Sequence, residues 1–141
     1  MTQTVNILLV EDDDVDAEGI KRAFKKARIA NPLFHAIDGI EALEMLRGEN
    51  GKDTIPLPHL LLVDINMPRM DGIEFVKALR NDPKLNKTIV FMLTTSNAEG
   101  DKLMAYNLNV AGYMVKSKVG DNFIDMIDML GLYWKIIEFP K

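Results

Sequence analysis

Short apolar runs alternate with stretches of helical period along the chain, the pattern of a parallel α/β sheet. The runs predict strands over Asn6–Val10, Leu33–Ile37, His59–Val63, Ile89–Leu93 and Gly112–Val115. The first, third and fourth are almost continuous Ile, Leu, Val, Phe and Met, so burial on both faces is expected, as at the centre of a parallel sheet. The second and fifth are shorter and mixed, which places them at the edges. From Ala17, the apolar positions Ile20, Phe24 and Ala27 recur at three- and four-residue steps. Asp13 or Asp14 caps that helix, acids crowd its start, and Lys21, Arg22, Lys25, Lys26 and Arg28 crowd its end, which suits the macrodipole. Ile40, Leu43 and Leu46 mark a second helix with Asp38 as N-cap. Gly72–Arg80 and Asn97–Asn107 form the third and fourth, and Phe123, Ile127, Leu130 and Trp134 form the stripe of a fifth that begins near Gly120. This alternation predicts a doubly wound, five-stranded parallel sheet with helices on both faces. It fills a single domain over residues 1–141, with its core over about 5–131. The irregular stretch Gly48–Pro58 and a C-terminal extension, 132–141, look like additions to that core.

Composition narrows the function classes. The chain has no cysteine, which removes thiolate chemistry, and its two histidines, His35 and His59, fall in separate strand-like runs. A His-based metal centre is not expected. A formal charge of −4 argues against a nucleic-acid surface. The N-terminal MTQTVNILLV has no basic leader and is too short to span a membrane, so a cytoplasmic protein with no membrane partner is expected.

In an open parallel sheet, ligands bind beyond the carboxyl ends of the strands. The first strand delivers Glu11 and Asp12 there, the third Asp64 and then Asn66, the fourth Thr94 and Thr95, and the fifth Lys116. Six acids lie between Glu11 and Glu18. Asp13, Asp14, Asp16 and Glu18 are read as the acidic first turn of a helix. Glu11 and Asp12 abut the buried strand, where adjacent carboxylates repel unless a cation neutralises them. Oxygen donors without His or Cys point to Mg²⁺. Taken alone, Asp64 reads as a turn residue before Pro68, Thr94 as a loop hydroxyl and Lys116 as a solvated lysine. Taken together they place a carboxylate beside a cation and an ammonium. Such a carboxylate stays ionised and can attack phosphorus, Lys116 and Thr94 stabilising the transferring oxygens.

The stretches ILLVEDD, LLLVDINMPRMDGIEFVKALR, VFMLTTSNAE and AGYMVKS, in this order and spacing, resemble the receiver domains of response regulators, the CheY-like family. The resemblance implies the flavodoxin-like fold with the strand order 2-1-3-4-5. It implies that Asp64 is the phosphoacceptor, that Asp12 binds Mg²⁺ directly and Glu11 through water, and that Asp64 and the backbone carbonyl of Asn66 complete the ligands. Thr94 matches the switch hydroxyl, Lys116 the family lysine, and Tyr113 the aromatic that turns inward with Thr94. The phosphoryl donor would be a histidine kinase. The domain would promote its own phosphorylation and dephosphorylation without being a turnover enzyme.

The family usually has proline after the lysine, joined by a cis peptide. Here Ser117 stands there, and a cis bond before a non-proline residue costs roughly 2.5–4 kcal/mol. Either a trans bond with a rearranged loop or a strained cis bond is expected. Gly48–Pro58 and the aromatic tail are similar to the small single-domain regulators that partner phytochrome-type kinases. With no output domain expected, signalling would run through partner binding or relay to a histidine phosphotransfer protein. A dehalogenase-type phosphatase would need a second aspartate where Asn66 stands, and a flavin carrier would need a phosphate-cradling loop where EDDD stands. Finally, Met126, Met129, Leu132, Tyr133, Ile136, Ile137 and Phe139 exceed what one helical face can bury. That excess predicts a homodimer through the last two helices and last strand, against the alternative of a tail folded back on its own domain.

Overall fold

Strand and helix alternate as β1 (Asn6–Val10), α1 (Asp14–Lys26), β2 (Leu33–Ala36), α2 (Gly39–Arg47), β3 (His59–Val63), α3 (Gly72–Asn81), β4 (Ile89–Thr94), α4 (Glu99–Asn107), β5 (Gly112–Val115) and α5 (Ile124–Ile136). The computed structural model describes residues 4–140. Met1–Gln3, at the start of the N-terminal stretch, and Lys141, at the end of the extension, lie outside the described residues. The strands form one parallel sheet in the order β2-β1-β3-β4-β5, with β2 and β5 at the edges as their mixed composition requires. Val10 lies opposite both Ala36 and Val63, Val63 opposite Met92, and Thr94 opposite Val115, so the carboxyl ends line up on one edge.

The near-continuous apolarity of the central strands reflects two cores. Leu8, Val10, Leu61, Val63 and Met92 face the side covered by α2, α3 and α4. Their neighbours Ile7, Leu9, Leu60, Leu62 and Phe91 face α1 and α5. This is the period-two alternation of a strand, buried on both faces. Aspartates start three helices: Asp13 accepts from Asp16 N–H, Asp38 from Glu41 N–H, and Asp71 forms a reciprocal capping box with Glu74. Each such cap satisfies a backbone donor that the helix leaves free.

Element ends differ from expectation for local reasons. The cap at Asp13 lets α1 begin before Ala17, and Ala27 lies past its end, exposed. Ile37 leaves β2 half-exposed because Asp38 must turn the chain into α2, whereas Thr94 continues β4 by pairing with Val115. Helix α4 starts at Glu99, later than Asn97, behind Ala98, which has no side-chain cap to offer. The fifth helix starts at Ile124, because Asn122 and Phe123, the last two residues of the 3₁₀ turn Asp121–Phe123, take left-handed backbone angles. The Lys116–Ser117 bond is trans, and Lys116–Lys118 form a 3₁₀ turn, the rearranged-loop alternative.

The C-terminal residues divide between burial and exposure. Met126, expected to be surplus, is buried in the core beside Ile127 and Leu130. Phe139 returns to stack edge-on against Tyr133, which in turn meets Phe91 at 5.0 Å. Met129, Leu132, Ile136 and Ile137 remain exposed.

Candidate functional site

Ladder hydrogen bonds carry the strand geometry one residue beyond the strands and so fix the acids. Glu11 N–H donates to Ala36 O at 3.0 Å, and Asp64 N–H donates to Val10 O at 3.0 Å. Glu11 and Asp64 are thereby held side by side at the end of adjacent strands, both buried, with exposed Asp12 next to them. One carboxylate oxygen from each of Glu11, Asp12 and Asp64 lies within 4.8 Å of the others. Three carboxylates at that spacing, with no sulfur or imidazole among them, fit a hard divalent cation. Asn66 sits exposed in the β3–α3 loop, and its carbonyl accepts no hydrogen bond among the described residues.

Lys116 enters from the fifth strand. Its ammonium lies 2.6 Å from Glu11 Oε1, 2.7 Å from Asp16 Oδ2 and 3.3 Å from Asp64 Oδ2. Burial works to lower its pKa, but the hydrogen bonds to Asp16 and Glu11 outweigh this and raise it, so the lysine is charged. Asp64 keeps Oδ1 on the Ile65 N–H at 2.7 Å. The acid turn of α1 therefore has one member that helix capping does not explain: Asp16 belongs to the site, a role that the dipole reading of this turn does not assign it.

Thr94 is fully buried, and its Oγ1 accepts from Ser96 N–H at 3.2 Å. Tyr113 donates its hydroxyl hydrogen to Ser96 O at 2.9 Å. Ser96 thus links the two residues matched to the family switch. Sequence reasoning also missed Arg69, which forks onto Asp38 at 2.6 and 3.0 Å and ties the β3–α3 loop to the start of α2. Its signal was only a charged residue in a turn motif, which usually means solvent.

Burial pushes Glu11 up from the ordinary carboxylate range to about 7, against the hydrogen bond from Lys116, with the charge of Asp64 adding to the rise. A folded pKa above the unfolded one means that the native state holds the proton more tightly. Its contribution is complete below about pH 4.5 and is lost as pH rises to about 7. In chelator, the wild type is expected to lose on the order of 3 kcal/mol across that window relative to Glu11→Gln. Urea unfolding of both proteins at about pH 4.5 and about pH 7.5 checks this. Parallel pH profiles would refute it.

A 2-1-3-4-5 sheet with acids and a lysine gathered at its carboxyl edge defines the class of doubly wound receiver-like domains. The response regulator receiver domain family matches residues 7–128, and the chain belongs to that family. Response regulator Rcp1 of Synechocystis sp. is 32% identical over 128 residues, covering 91% of this chain and 87% of that protein. The crystal structure of the Mn(2+)-bound form of Rcp1 superposes with a TM-score of 0.85 at 30% identity, covering 97% of this chain and 99% of that one. The phosphorylated cyanobacterial phytochrome response regulator RcpA gives a TM-score of 0.88 at 29% identity, covering 99% and 100%. The chain is therefore a signalling receiver of two-component systems, a family that works with histidine kinases. Among the described residues no helix is long and apolar enough to cross a membrane.

Proposed function

We propose that the chain accepts a phosphoryl group on Asp64 from a histidine kinase and thereby switches its binding to a partner. The observation that carries this reading is the buried Asp64 carboxylate, set between the acid cluster and the Lys116 ammonium. Attack by an Asp64 oxygen forms an O–P bond while the N–P bond to the kinase histidine breaks. The imidazole leaves with the electron pair and takes a proton from solvent. Lys116 stays protonated throughout and meets a phosphoryl oxygen, and the Thr94 hydroxyl donates to another. Glu11, Asp12 and Asp64, with the Asn66 carbonyl, would hold Mg²⁺, which neutralises charge on the transferring oxygens. Incubation with acetyl phosphate and Mg²⁺, read by intact mass, tests the acceptor.

The similarity to Rcp1 and RcpA supports a phytochrome-type kinase as donor and a cytoplasmic receiver that acts as a single domain. Relay to a histidine phosphotransfer protein is the second route by which such a domain would signal. A homodimer is supported by two exposed apolar sets, Leu103, Met104 and Tyr106 on α4 and Met129, Leu132 and Ile136 on α5, which cover opposite faces of the sheet. Solvated patches of this kind mark contact surfaces. A phosphoryl group shifts an equilibrium only through contacts that differ between the two states. If Thr94 leaves Ser96 N–H for the phosphoryl group, the Ser96 carbonyl that holds Tyr113 is disturbed, and Tyr113 lies on β5, on the α4 side of the sheet. Thr94→Ala is expected to accept phosphate yet show no phosphorylation-dependent change in sedimentation. A variant that shifts as the wild type does would break the link.

A further inference from the structure

The acidic start of α1 supplies one carboxylate whose position the helix does not require. Asp13 caps α1 through the Asp16 backbone N–H at 3.0 Å, which leaves the Asp16 side chain free for another role. That side chain reaches across to Lys116, just past β5 and a hundred residues away, at 2.7 Å. A lysine ammonium has three N–H donors and no acceptor. Here each donor has one carboxylate to meet: Glu11 at 2.6 Å, Asp16 at 2.7 Å and Asp64 at 3.3 Å. Two short bonds from one nitrogen fix its rotation, and the third N–H then points at Asp64. Glu11 and Asp64 also belong to the cation cluster, so they have a second claimant; Asp16 is outside that cluster. It is the one partner of Lys116 that no metal would share.

The 3₁₀ turn at Lys116–Lys118 gives this contact its purpose. The bond to Ser117 is trans and Lys116 starts that turn, its ammonium held by Glu11 and Asp16. The Lys116 side chain is 9% exposed and that of Asp16 30% exposed, so the bond is only partly screened by solvent. We propose that Asp16 is a positioning residue: it holds the Lys116 ammonium aimed at Asp64, ready for the incoming phosphoryl oxygens. The proposal rests on the reading of Asp64 as acceptor. In the acetyl phosphate reaction an Asp64 oxygen forms the new O–P bond, the bond from phosphorus to the acetate oxygen breaks, and acetate leaves with the electron pair. No proton moves, so an aimed ammonium acts only through charge and direction.

The test compares Asp16→Ala with Asp16→Asn, which keeps a carbonyl oxygen to accept from the ammonium. With acetyl phosphate and Mg²⁺, Asp16→Ala is expected to label about tenfold more slowly than wild type, since small misplacements of a charge-stabilising group cost up to ~10²-fold. Asp16→Asn is expected to recover most of that rate. Mg²⁺ affinity, measured by titration, is expected to fall much less than in Asp12→Ala, because Asp12 belongs to the carboxylate cluster and Asp16 does not. The Lys116 ammonium signal in ¹⁵N-resolved NMR of the unphosphorylated protein is expected to persist in wild type and Asp16→Asn and to exchange away in Asp16→Ala. Equal labelling rates, equal loss in both variants, or an unchanged ammonium signal would each overturn the proposal. A wild-type chain that takes no label would sink the acceptor reading, and the ammonium signal would still decide whether Asp16 aims the lysine.

Discussion

Asp64→Asn is expected to gain no phosphoryl mass from acetyl phosphate and Mg²⁺ under conditions where the wild type gains one. The amide preserves the shape of the side chain and the bond from Ile65 N–H at 2.7 Å, but its oxygen carries no full charge with which to attack phosphorus. The neighbouring acids do not substitute. Glu11 is 1% exposed and already engaged by Lys116 and by the Asp13 N–H. Asp12 is exposed on the solvent side, and Asp16 faces the ammonium from the helix. A loss of at least about 10³-fold is therefore expected, an effect of the size seen when a nucleophile is removed. The same substitution separates chemistry from folding. Asp64 raises the pKa of buried Glu11, so removing its charge relieves a like-charge contact, and the metal-free variant is expected to be no less stable than wild type. Peptide mapping of the labelled wild type completes the test: a phosphoryl group carried on another residue would move the site.

The strand ends were legible because two requirements coincide at them. Central parallel strands must be apolar on both faces, and the first polar residue after such a run is forced to the carboxyl edge, where the sheet exposes its ligands. Glu11, Asp64 and Thr94 follow from that rule, and the ladder bonds of Glu11 and Asp64 show why it works; Lys116 follows because the edge strand β5 runs parallel and ends on the same side. Asp16 was hidden by a second, sufficient explanation. An acid in the first turn of a helix already satisfies the macrodipole, and nothing local says that a lysine from the end of β5 lands above it. Arg69 was hidden by its turn. It sits at positive φ and its side chain reaches Asp38, a residue that reads from sequence as a cap with no sign that it also accepts a guanidinium. The C-terminal residues were misjudged where helix phase and tail path decide burial: Met126 falls on the inner face, and Phe139 depends on a return of the chain that no periodicity encodes.

Gly72→Ala is expected to destabilise the domain by about 3 kcal/mol or more and to slow phosphorylation with it, although the backbone angles at Gly72 suit any residue. The constraint is space. A Cβ at Gly72 would stand 2.1 Å from the Asp64 carbonyl oxygen and 2.9 Å from Ile65 Cα. Both are backbone atoms, so no rotamer change relieves the clash. The Gly72 N–H donates to Ile65 O at 2.8 Å, which clamps the start of α3 onto the residue that follows Asp64. To make room, either α3 must move outward or the Asp64–Ile65 segment must. The first loosens Ile73, Phe75, Val76 and Leu79, all buried against the sheet. The second displaces the carboxylate from Lys116. Gly131→Ala supplies the control of opposite sign. It lies inside α5, and a Cβ there would meet nothing within 4 Å, so alanine is expected to stabilise by about 0.5–1 kcal/mol. Urea unfolding of both variants, paired with labelling by acetyl phosphate, gives the two signs directly. A Gly72→Ala protein as stable and as readily labelled as wild type would show that α3 is not clamped against the Asp64 backbone.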